Sequence, residues 1–66
     1  METIAEALPV EQQRGRDLLR LYDATPTGVF AATMMRQSLA RAERAAAAGD
    51  VVAMLAAYKD LQGFRA

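Results

Sequence analysis

The stretch AERAAAAGDVVAM, from Ala42 to Met54, constrains the fold more than any other part of the chain. Ala45 to Ala48 is the strongest helix-forming tetrapeptide present, and the two residues after it carry opposite terminal signals. Glycine suits the left-handed position that closes a helix, so Gly49 marks an end. Aspartate suits the N-cap of the next helix, where its carboxylate accepts from free backbone N–H groups and is favoured by the helix dipole, so Asp50 marks a beginning. A flexible linker would be built from glycine and serine, which this stretch is not. The spacing predicts a helix that stops at Ala48, a helix that starts at Val51, and a connection so short that the second folds back antiparallel on the first.

The remaining segments are also helical. β-branched residues are few and scattered, and no stretch alternates apolar with polar over a strand length. Thr3 and Glu6 have the spacing of a capping box, but Pro9 arrives before a helix from that point could run two turns. A single short turn from about Ile4 to Ala7 is therefore expected. A first long helix is expected from Pro9, tolerated at the first helical position, to about Asp23. In ATPTGVF, Thr25 is a fair N-cap with Pro26 at the next position and Thr27 as the alternative cap, which starts a second helix running to Ala48. Gly63 stops the third near Gln62. The expected architecture is one all-α domain of three main helices, about 9–23, 26–48 and 51–62, with the second long and central and an αα-hairpin at Gly49 and Asp50.

Helical periodicity assigns faces to these segments. In the third helix Val51, Met54, Leu55, Tyr58 and Leu61 fall on one arc. In the second, Ala31, Ala32, Met35, Leu39, Ala42 and Ala46 form a stripe that Phe30 and Met34 widen to roughly 200°, enough for two neighbours. In the first, Gly15, Leu18, Leu19 and Tyr22 share a side, while Glu11 interrupts it and Val10 and Leu21 point elsewhere.

Size makes stability a constraint on function. A chain of 66 residues buries only about 60% of the surface that its unfolded form exposes, against an ordering cost of about 100 kcal/mol. With no cysteine or histidine, neither disulfides nor the ligands that structural zinc prefers are present. Much of the apolar content is alanine, which buries little area. Association is the remaining route, so a homo-oligomer, a dimer first, is expected. The apolar surface left over at Val10, Leu21, Phe30 and Met34 makes these four residues the candidate interface.

Eight basic residues balance eight acidic ones, which gives no general pull toward nucleic acid or anionic membrane. The opening METIAEALPV lacks a basic region followed by an apolar core, and the longest apolar run, Val51 to Ala57, is far short of the ~20 residues that span a bilayer. A soluble, cytoplasmic chain is expected. The candidate basic face is Arg36, Arg41 and Arg44, diluted by Glu43 and without an aromatic residue to stack a base. Arg14, Arg16 and Arg20 are likewise interleaved with Asp17 and Asp23. Met35 and Met54 belong to core arcs, and Tyr22 and Tyr58 have the places of core aromatics whose hydroxyls reach the rim. Without a nucleophile–base pair, a paired carboxylate site or a phosphate-binding loop, no enzymatic activity, cofactor or metal is expected.

Two resemblances bear on the whole. Ala42, Ala46, Gly49, Asp50 and Tyr58 resemble the helix-to-helix junction of tetratricopeptide-type repeats; this occurs once, whereas such arrays need about three units, and implies a shared corner geometry. The pattern of ALPVEQQR (Ala7 to Arg14), TGVFAATMMRQSLARAERA (Thr27 to Ala45) and GDVVAMLAAYKDLQGF (Gly49 to Phe64) is similar to small uncharacterised proteins encoded in bacterial phages and prophages. That resemblance implies an accessory protein that binds, and inhibits or redirects, a host protein. The expected function is a self-associating protein–protein interaction module. The alternative is a small nucleic-acid-binding regulator using the Arg36, Arg41 and Arg44 face.

Overall fold

The computed structural model describes residues 1–65. They form three helices, α1 (Ile4–Ala24), α2 (Val29–Ala48) and α3 (Val51–Gln62), and each helix packs on both others in an all-α bundle. α2 does not separate its neighbours: α1 and α3 also touch along their length.

The first helix corrects the expectation of a short turn followed by a break. α1 runs without interruption through Pro9. Thr3 caps it, its hydroxyl oxygen accepting from the Glu6 backbone N–H at 3.3 Å and donating to the Glu6 carboxylate at 3.1 Å. An interior proline costs about 3 kcal/mol, because it removes one backbone hydrogen bond and crowds the carbonyl four residues back. Here that carbonyl belongs to Ala5, and both Ala5 and Pro9 face solvent, where water can take the missing bond. Leu8 beside it is fully buried, and Ile4 packs on the same core. Ending the helix at Pro9 would sacrifice the Leu8 anchor, about 1.5–3 kcal/mol, and a cap of about 1 kcal/mol. Tertiary burial therefore carries the helix through.

The connection between α1 and α2 is a second correction, since α2 starts at Val29 and not at Pro26. Thr25 is the C-cap of α1, its backbone N–H bonded to Tyr22 O at 3.2 Å and its hydroxyl donating to Leu21 O at 2.9 Å. Pro26 occupies the second position of a four-residue turn that closes when the Gly28 N–H donates to Thr25 O at 2.9 Å. Proline at the second position and glycine at the fourth is the preference of a type I turn. Gly28 is required here by proximity: a Cβ on it would lie 2.2 Å from the Tyr22 carbonyl oxygen.

The Gly49–Asp50 corner forms as its chemistry predicts. Gly49 has φ 65° and ψ 25°. Its N–H donates to Ala46 O at 3.1 Å and the Asp50 N–H to Ala45 O at 3.2 Å, which satisfies the last carbonyls of α2 in the Schellman pattern. The Asp50 carboxylate then accepts from the Ala53 N–H at 3.1 Å, capping α3.

Leu8, Met35 and Leu61 are the large apolar side chains with no exposure, and Ala32, Ala42, Ala45, Met54 and Ala57 complete the core with them. Two faces differ from the periodicity. Val51 and Leu55, placed on the buried arc of α3, are half exposed, and Ala57 is buried in their stead. On α2, Ala45 and Ser38 are buried while Ala46 is exposed. α3 contacts two helices at once, and turning its smaller residues toward α2 lets the axes approach more closely than Val51 and Leu55 would permit. The exposed surface is 4476 Å², somewhat above the ~4,100 Å² of a compact monomer of this mass.

Both corners yield measurable expectations. Gly49→Val places a β-branched residue at positive φ and should lower the unfolding free energy by about 1–2 kcal/mol in urea titrations. Gly28→Ala should cost about 1–3 kcal/mol through its clash with Tyr22 O; an unchanged midpoint for either variant would contradict the corner geometry.

Candidate interaction surfaces

All four candidate interface residues are on the surface, Phe30 at 77% exposure and Met34 at 38%, with Val10 and Leu21 between them. They do not form one patch. α3 has 12 residues and α2 has 20, about 18 Å against 30 Å, so the third helix ends well before the α1–α2 hairpin does. Leu21, Phe30 and Met34 belong to that uncovered end, Phe30 and Met34 one turn apart on the same face of α2. Val10 lies about 16 Å farther along α1. Val29, Val51, Val52 and Leu55 are also exposed and were not singled out as surface residues. Periodicity places Val51 and Leu55 on the core arc, and Val52 becomes visible only once the packed face of α3 is known.

The three arginines of the candidate basic face are divided between flanks of α2. Arg36 pairs with Asp23 of α1 at 2.7 Å, and Arg41 pairs with Asp60 of α3 at 3.1 Å. Five residues of helix turn these two about 140° apart. Arg41 also donates to the buried Ser38 hydroxyl at 3.0 Å, giving that polar group its partner. Arg44 has no carboxylate within ion-pair distance among the described residues. Two of the three charges are thus already matched. In α1, Arg20 approaches Asp17 only to 3.8 Å, and Arg16 donates to Gln13 at 3.1 Å.

Arg14 has a structural role that local spacing does not disclose. Its Nε donates to Glu11 at 2.6 Å, Nη2 to Leu61 O at 2.8 Å and Nη1 to Phe64 O at 3.1 Å. The guanidinium therefore caps the carbonyl end of α3 from another helix, where a cation also complements the dipole. Glu11, which looked like an interruption of the apolar side, is its orienting partner and has a side chain only 12% exposed. Nearby, the Tyr22 hydroxyl donates to Arg65 O. The i,i+3 spacing of Glu11 and Arg14 was a usable signal for the ion pair, but nothing local pointed to carbonyls 47 and 50 residues away.

Two concavities mark the surface. An open groove of about 430 Å³ runs between α2 and α3, floored by alanines and walled by Arg41 and Arg44 on one side and Asp50 and Asp60 on the other. A second hollow of about 510 Å³ lies around Glu11, Arg14, Gln62 and Arg65, where the Arg14 contacts already occupy its polar groups. Among the described residues no cluster of three potential metal ligands occurs, and no helix is long and apolar enough to cross a membrane. The chain matches no protein-family model, no curated protein and no solved structure.

The Arg14 cap separates from ordinary surface pairing by its cost. Arg14→Met keeps much of the stem and removes the donors, so it should lose about 1–3 kcal/mol in urea unfolding. Arg36→Gln, which breaks an exposed pair, should cost less than about 1 kcal/mol. Equal losses would mean that Arg14 acts only as another surface ion pair.

Proposed function

We propose that this chain is a small helical interaction module that associates with itself and acts by binding another protein. The observation that carries this reading is the end of the α1–α2 hairpin, where Leu21, Phe30 and Met34 stand exposed beyond the reach of α3. Exposed aromatic and methionine side chains are the residue types that supply binding energy in protein interfaces. Self-association is supported by the small core: three fully buried large apolar residues hold a domain that has neither disulfide nor histidine or cysteine metal ligands. The resemblance to phage-encoded proteins makes a host protein the partner, with its activity inhibited or redirected.

Sedimentation equilibrium across a dilution series tests the self-association. The mass should rise with concentration from 7.2 kDa toward twice that value, and a constant 7.2 kDa mass into the high micromolar range would contradict it. For partner binding, a protein captured by the wild-type chain from bacterial lysate should be lost with the double variant Phe30→Ser, Met34→Ser, while helicity is unchanged because both side chains are exposed. Undiminished capture by the double variant would remove the hairpin end from the account.

A further inference from the structure

We infer that the groove between α2 and α3 is the surface on which a second copy of this chain docks; the inference rests on the self-association reading and assigns it a face. The floor is apolar and shallow because its side chains end at Cβ. Ala48 and Ala56 on its two banks are exposed, and Val52, one turn before Ala56, is 78% exposed. Such a surface lets another helix approach toward the lower end of the usual 8–10 Å separation.

Charge decides the occupant and its orientation. The Arg41–Asp60 pair sets the register across the groove, so Arg44, one turn before the end of α2, is level with Ala57, about 4.5 Å along the axis from Asp60. The α2 wall is basic and the α3 wall acidic over the same height. A two-fold axis parallel to the groove lays each basic wall against the other copy's acidic wall, twice over, and brings Arg44 to the second copy's Asp60. A two-fold axis across the groove would instead oppose like walls. Isologous contacts require self-complementarity of this kind, whereas a uniformly acidic or basic helix would meet one repulsive wall.

The favoured orientation is also consistent with helix packing. It sets α2 of one copy antiparallel to α3 of the other, the relation that these helices already have within one chain. The result is a four-helix core of α2 and α3 from both copies, with α1 outside and the Leu21, Phe30 and Met34 end left free. Arg44, without a carboxylate partner in the single chain, gains one.

The test combines a steric variant with a charge exchange, each followed by sedimentation and by circular dichroism for helicity. Ala56→Trp fills the groove from an exposed position and should weaken dimerisation at least tenfold while helicity is retained. Arg44→Glu sets a carboxylate against the second copy's Asp60, and Asp60→Arg sets a guanidinium against its Arg44, so each variant alone should dimerise at least tenfold more weakly than wild type, and an equimolar mixture, which restores opposite charges at both contacts, should recover a dimer. Phe30→Ser should dimerise as wild type does. If wild type dimerises but the groove variants do so equally well, the docking face is overturned and self-association stands. Dimerisation lost in Phe30→Ser alone would assign the face to the hairpin end. A wild-type chain that remains monomeric overturns both.

Discussion

The three helices meet at Gly15, and the rest of the structure depends on how closely they do so. A Cβ on this residue would stand 3.1 Å from Leu39 Cδ2, 3.2 Å from Met35 Sδ and 3.6 Å from Leu61 Cδ2. Glycine in a helix interior costs about 1 kcal/mol relative to alanine, and the close approach is what offsets that cost. Met35 and Leu61, two of the three fully buried large side chains, converge on the space that the missing Cβ leaves. With α1 and α3 held this near, Arg14, the preceding residue, can reach the carbonyls of Leu61 and Phe64. The contact thus couples the core to the cap on α3, and one small residue sets the spacing of all three helices.

What could be read from the residues alone divides according to whether the governing interaction is local. The Gly49–Asp50 corner and both ends of α3 were legible because their hydrogen bonds lie within five residues of the terminal positions. Local spacing breaks the helix at Pro9, but the burial of Leu8 and Ile4, which outweighs the proline, is a tertiary effect. Thr25–Pro26–Thr27–Gly28 carries the preference of a turn, but Pro26 is equally suited to the first position of a helix, and that second preference hides the turn. On α3 the hydrophobic arc pointed to Val51 and Leu55, and the structure buries Ala57 because close approach to two neighbours outweighed the area of the larger side chains.

The candidate surfaces follow the same division. Exposure of Val10 and Leu21 follows from their places off the core arc of α1, and that of Phe30 and Met34 from their places on the flank that widens the α2 stripe. Their separation into a hairpin end and a remote Val10 depends on where α3 stops relative to α1, which no wheel projection includes. The arginines of α2 looked like one face when placed on a single helix. In the bundle two of them turn to carboxylates on opposite neighbours, and the third stands on the wall of a groove whose other wall is acidic. A surface with both signs at matching heights is suited to a copy of itself more than to a phosphate backbone, and its apolar floor lies apart from the hairpin end.

The absence of a side chain at Gly15 fixes the distance between the helices. Urea unfolding of Gly15→Leu, at a concentration where the wild-type chain is monomeric, tests it most directly. Leucine has the better helix propensity by roughly 0.8 kcal/mol, so a position with room would become more stable. The packing described here predicts the opposite sign, a net loss of about 1–3 kcal/mol from overfilling the junction. A Gly15→Leu protein as stable as wild type, or more stable, would contradict it.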